Sequence, residues 1–217
     1  ARREAVIKEC VDKILHPTAD ILIIKNDVSD IQSVTKAYQS ITEKFGLIDV
    51  AILNSGIGKS VTPKTFNSKI AEDILNTNFL GVVYWIEQLL PDMLKKQNGI
   101  IAPVSSLADN RGYSGSGFYC ASKAALSIYS EGLSIDLEKY GIKVITVKPG
   151  FVKTPMTDQN SFKMPFMISA EMAAKKIIAG IVKERNIIQF PLPTVLGSKL
   201  IGIMPNWIYR LISKAQH

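Results

Sequence analysis

Cysteine is scarce in this chain: Cys10 and Cys120 are the only two in 217 residues. Two thiols do not make the disulfide framework of a small secreted fold, so a reducing compartment, the cytoplasm, is the expected setting. Cys120 reads as a buried, inert thiol. Histidine is equally sparse, and neither His16 nor His217 has neighbours at ligand spacing, so no metal site is expected. Aromatic residues make up 8% of the chain, and no basic run is interleaved with them. Nucleic acid is therefore not an expected partner, although the net charge is +7. No apolar run is long enough to cross a bilayer.

What the chain does have is core material. The hydrophobic share is 47% against 21% charged, which excludes a disordered chain, and the length suits one sizeable core. A single domain over 1–217 is expected. Apolar, β-branched runs recur at 20–26, 49–54, 99–105, 143–149 and 186–190, each read as a buried strand. Helical periodicity occupies 29–45, 67–96, 117–140 and 169–184. Alternation of that kind predicts an α/β fold, a Rossmann-like doubly wound parallel sheet. Such sheets bind ligands beyond the carboxyl ends of their strands, which draws attention to Asp27, Asn54 to Gly56, Ser105, Ser106 and Pro149 to Thr154.

In "GFYCASKAAL", Tyr119 and Lys123 stand four apart and would share one helix face. A phenol titrates near roughly 10, and a neighbouring ammonium favours its ionised form, so this pair suits proton transfer. The plain alternative is a packed tyrosine beside a solvated lysine. Ser106 lies at the end of "IIAPVSS" and Asn78 within "LNTNFLG". Singly, a strand-end serine caps a turn and a helical asparagine satisfies backbone.

Together with "LNSGIG" and "KPGFVKT", these residues resemble the short-chain dehydrogenase/reductase family, whose classical members carry Asn, Ser, Tyr and Lys in that order. The resemblance implies Tyr119 as general acid/base, Lys123 lowering its pKa and holding the nicotinamide ribose, Ser106 bonding the substrate oxygen, and Asn78 ordering a water for proton relay. It further implies cofactor contacts at Asp27 and Val28 in "NDVSD", at Asn54, Ser55 and Gly56 in "NSGIG", and at Pro149, Gly150, Val152 and Thr154 in "PGFVKT". Ser55 replaces the family's alanine. Arg2 in "ARRE" matches the place where an arginine pairs with a 2′-phosphate, so NADP is expected in preference to NAD. The implied substrate is a small-molecule carbonyl or alcohol. The Met- and Phe-rich loop at 154–171 and the apolar tail suggest a lipophilic one.

One departure is large. The family's opening strand and its Thr-Gly-x-x-x-Gly-x-Gly loop should stand before "ARRE", and no segment here replaces them. In the family's strand order 3-2-1-4-5-6-7, the runs at 20–26 and 49–54 would be the third and fourth strands, facing a gap of roughly 14 Å. The expectation is that about 35 to 40 residues precede Ala1 in the natural protein. Residues 190–217 form a C-terminal extension, in which Pro205 is expected to open a short helix with Trp207, Ile208, Leu211 and Ile212 on one side. That extension is expected to be a lid or subunit contact, or, over 204–214, a peripheral membrane contact. A homodimer or homotetramer is expected on the two long helices, through Ala121, Ala124, Ala125 and Leu126.

Overall fold

The computed structural model describes residues 2–13, 20–159 and 163–214. Helix α1 (Glu4–Asp12), none of whose residues is fully buried, comes first. Helix α2 (Ile31–Phe45) begins where the Asp30 carboxylate accepts from Gln32 N. It ends at Gly46, whose φ of 76° is the left-handed turn that glycine adopts without strain. Then come strand β1 (Val50–Leu53), helix α3 (Ser68–Leu75), a single π turn (Asn76–Leu80) and helix α4 (Gly81–Lys96). Strand β2 (Gly99–Pro103) leads through one 3₁₀ turn to the 22-residue helix α5 (Gly117–Glu138). Strands β3 (Ile142–Val144), β4 (Thr146–Pro149), β5 (Val152–Lys153) and β6 (Ile168–Ser169) follow, then α6 (Ala170–Val182), β7 (Ile187–Phe190), α7 (Leu192–Ile203) and α8 (Asn206–Lys214).

All pairings are parallel. β1 pairs β2, β2 pairs β3, and β4 pairs β7, while a bridge from Val104 to Val147 and the bond from Ile145 N to Ile101 O (2.8 Å) carry the sheet across from β2 to β4. Period-two alternation fills both faces. Ile101, Ile142 and Val144 pack with Val82, Ile86 and Leu89 of α4 and Leu126 and Leu137 of α5. Ala102, Val104, Ile145 and Val147 pack with Ala173 and Ile181 of α6. The expected α/β doubly wound architecture and single domain are what the chain adopts.

Several details differ from expectation. Residues 20–26 enter no sheet among the described residues. Their β-branched content supplies propensity, but a strand needs a partner backbone about 4.8 Å away, and β1 pairs only with β2. The free side of β1 leaves Val50 44% and Ile52 45% exposed and borders a cleft of about 400 Å³ reaching from Asn26 and Val28 to Trp85. Among the described residues, no second strand pairs with this edge of β1. The helical run at 67–96 is interrupted by the π turn, and 143–149 is two strands joined at Ile145. Leu126, expected at a subunit contact, is fully buried in the core. His16 and His217 lie outside the described residues. No cluster of potential metal ligands occurs among the described ones, and Cys120 is buried.

Candidate active site

The site gathers at the carboxyl end of β2 and the first turns of α5. Ser106 follows β2 and caps the 3₁₀ turn Leu107–Asp109, accepting from Ala108 N at 3.1 Å. Tyr119 and Lys123 occupy successive turns of α5, and the Lys123 ammonium lies 5.9 Å from the Tyr119 ring centroid. Asn78, with no exposed surface, projects from the π turn toward the same place. Such turns free a backbone position from the regular ladder and recur at functional sites.

Asn78 acts as a clamp. Its Oδ1 accepts from Ile57 N at 2.7 Å, and its Nδ2 donates to Ile57 O at 2.9 Å and to the Ser122 hydroxyl at 3.0 Å. Ser122 donates in turn to the Tyr119 carbonyl at 2.7 Å. The loop after β1 is thereby tied to the helix bearing the tyrosine, and both amide hydrogens of Asn78 are engaged. Gly56 in that loop also faces the site: a methyl group there would lie 3.5 Å from Lys123 Nζ and 3.6 Å from Asn78 Oδ1.

Burial sets the electrostatics. Lys123, 4% exposed, donates to the Val104 carbonyl at 2.7 Å, and desolvation lowers its pKa to about 8. Burial also raises the Tyr119 phenol above its ordinary value; a hydrogen bond from Ser106 pulls it down, while Cys120 and Asp109 push it further up. The expectation that Lys123 depresses this phenol is not met. The ammonium is held at a main-chain carbonyl, and desolvation outweighs the influences that favour phenolate.

The residues expected around a cofactor fall into two groups. Asp27 Oδ1 accepts from the Ser29 hydroxyl (2.7 Å) and Ser29 N (3.1 Å), and the Arg2 guanidinium reaches within 3.8 Å of Oδ2. The Ser29 hydroxyl first, and more weakly Ser29 N and Arg2, hold the Asp27 carboxyl below its usual range despite burial. Val28 packs so closely on α4 that a methyl on Gly81 would come 2.8 Å from its Cγ2. Asn54 and Ser55 are exposed at the end of β1 and line the cleft. On the other side, Pro149 pairs with Phe190, and Gly150 N donates to Phe190 O at 2.8 Å. Val152 pairs with Ile168 in β5–β6, and Thr154 N donates to the Thr157 hydroxyl at 2.9 Å. The cleft beside β1 is lined by neither Tyr119 nor Lys123.

Sequence reasoning missed a polar chain behind the site. Lys148 on β4 pairs with Asp109 at 2.7 Å; Asp109 accepts from Ser127 at 2.5 Å; Ser127 meets Ser105 at 2.7 Å; and Ser105 donates to the Lys123 carbonyl at 2.9 Å. The available signal was the serines of α5: Ser122, Ser127 and Ser130 sit on the face that also carries Lys123 and Leu126, where apolar residues would be usual.

The family model described as short chain dehydrogenase matches residues 1–164. This chain belongs to the short-chain dehydrogenase/reductase family. It is 30% identical over 186 residues to an uncharacterized oxidoreductase of Myxococcus xanthus, covering 86% of this chain and 74% of that one. It is 36% identical over 135 residues to the 3-ketodihydrosphingosine reductase of Bacteroides thetaiotaomicron, covering 62% of this chain and half of that one. Among solved structures, a short chain dehydrogenase/reductase from Burkholderia phymatum in complex with NAD superposes with a TM-score of 0.83 at 19% identity, over 100% of this chain and 84% of that one. The family's oxidoreductase chemistry and nicotinamide cofactor give the clustered Asn78, Ser106, Tyr119 and Lys123 a chemical context.

Proposed function

We propose that this protein interconverts a carbonyl and a secondary alcohol, with NADP(H) as cofactor and Tyr119 as the general acid/base. The observation that carries the reading is the convergence of Ser106, Tyr119 and Lys123 below a glycine loop held by Asn78. The cofactor would supply or accept the hydride. The close approach of the loop at Gly56 to Lys123, together with the polar mouth formed by Asn54 and Ser55, suits a ligand lying over the strand ends.

Ser106 and Tyr119 are the donors toward which a carbonyl oxygen would point. In reduction Tyr119 gives up its phenolic proton as alkoxide charge develops, and in oxidation it takes the alcohol proton. Lys123 holds the ribose and fixes the local charge. Arg2, near Asp27, favours the 2′-phosphate of NADP over the hydroxyl of NAD. A lipophilic substrate is favoured by exposed Met156 and Phe166 in the segment between β5 and β6 and by exposed Phe66, whose ring meets Phe118 of α5.

The deciding experiment is Tyr119→Phe in the natural full-length protein, assayed by NADPH and NADH oxidation against a panel of ketones, aldehydes and sterols. Turnover should fall by roughly 10²–10⁴-fold or more with the fold intact, NADPH being preferred. Because burial raises the phenol, reduction should hold level through neutral and mildly alkaline pH, and oxidation should rise with pH. Equal rates for parent and variant would end the assignment. The open side of β1 favours a second reading, a binding or membrane-peripheral relative without turnover. It predicts that neither cofactor is oxidised with any substrate of the panel.

A further inference from the structure

We propose that α7 and α8 together form a face that docks on an anionic phospholipid surface. On α7, Leu192, Leu196, Leu200 and Ile203 recur at intervals of four, four and three and stay exposed, Ile203 at 83%. That spacing is one stripe of a helix. On α8, Trp207, 67% exposed, and Leu211, 62% exposed, stand one turn apart. An exposed run of this size costs free energy in water and calls for a cover.

The charge pattern selects the cover. Residues 190–214 contain Lys199, Arg210 and Lys214 and no Asp or Glu. A segment whose exposed apolar residues are interspersed in sequence only with cations matches hydrocarbon beneath a layer of negative head groups, and an exposed tryptophan suits the boundary between them. The inward sides of both helices are already fixed. Arg111 donates through Nε to Ile201 O (3.0 Å), through Nη1 to Asn206 Oδ1 (2.7 Å) and through Nη2 to Met204 O, and stacks 4.9 Å from the Tyr209 ring. Tyr209 donates to Gly112 O at 2.8 Å, and Asn110 to Ser198 O at 2.7 Å. The outward stripe is therefore presented by a rigid corner, anchored on the loop between Ser106 and Tyr119. Docking would hold the mouth of the candidate site near a source of lipophilic substrate.

The test is co-sedimentation with vesicles of phosphatidylcholine, alone and mixed with phosphatidylserine, while following tryptophan emission. The parent should bind the mixed vesicles with a blue shift that Trp207→Phe removes. Lys199→Gln with Arg210→Gln should weaken binding to the mixed vesicles roughly 30-fold. Leu200→Ser with Ile203→Ser should abolish it; all these side chains are exposed, so an unchanged circular dichroism spectrum is expected. Failure of the parent to bind, or equal binding by the variants, would overturn the proposal. So would an oligomer that these same serine substitutions dissociate, since a second copy would then cover the face. None of these readouts requires turnover, so the catalytic reading can fail without affecting them.

Discussion

Lys123 holds its proton in a setting that disfavours charge, and the consequence is measurable. Its folded pKa is about 8, against an ordinary 10.5. Below about pH 8 both folded and unfolded chains carry the proton, and the full penalty of burying the ammonium stands. Between those two values the unfolded chain keeps a proton that the folded one has released, so raising the pH favours folding. The window of 2.5 units corresponds to about 3 kcal/mol. Urea denaturation of the parent and of Lys123→Met, at pH about 7 and about 10, should therefore show the parent gaining about 3 kcal/mol on the variant as pH rises. Other groups titrate in this range in both proteins and cancel in the difference. A constant gap would mean that the lysine is better solvated than its 4% exposure indicates. A residue kept at such a cost, bonded only to a carbonyl, is retained for something other than stability, which is consistent with the role proposed for it.

At the scale of elements, the site depends on how the turn after β2 is held against β4. The Asp109–Lys148 pair makes that connection, with the two side chains 8% and 18% exposed. Removing one partner of a buried pair leaves an uncompensated charge, whereas replacing both with apolar residues is far milder. Asp109→Ala should destabilise the fold by about 3 kcal/mol, and adding Lys148→Met should restore much of the loss. Thermal melts of the two singles and the double would measure the coupling, and simple additivity would show the pair to be dispensable.

Sequence reasoning could not find this pair, because 39 positions and a helix separate its members. It did identify β1, β2, β7, α2, α5 and α6 to within a few residues, because each carries a period that one buried face enforces. Tyr119, Lys123, Ser106 and Asn78 were legible from type, order and spacing, and the structure brings them together. What escaped was context. The 20–26 run has strand propensity without a paired neighbour, and α1 has no buried face to give it away. The three prolines at 191–205 masked α7, although Pro191 and Pro193 fall at its first turn, where proline is tolerated.

For the whole molecule, α5 serves two directions at once. Its inward face carries Ser122, Lys123, Leu126, Ser127 and Ser130, all buried. Its outward face carries Ala121, Ala125, Ile128, Gly132 and Ile135, at intervals of four, three, four and three, with Ile128 72% and Ile135 69% exposed. Small residues let another backbone approach, and two isoleucines between them provide apolar anchors. The stripe therefore suits a second copy of α5 across a two-fold axis, a self-complementary contact in which each copy presents the same patch. Leu126 contributes from inside, as core, and Ala124 at the stripe's edge. Each isoleucine buried in such a contact is worth about 2 kcal/mol, so four per dimer give about 8 kcal/mol as an upper bound. Ile128→Glu with Ile135→Glu should thus turn a dimer into a monomer in sedimentation at roughly micromolar concentration, without moving the buried face that holds Tyr119 and Lys123. A monomeric parent would remove the proposal outright. An oligomer unaffected by both substitutions would place the contact on another surface, and a monomeric variant that also lost its fold would show that the stripe supports the protomer rather than the pair.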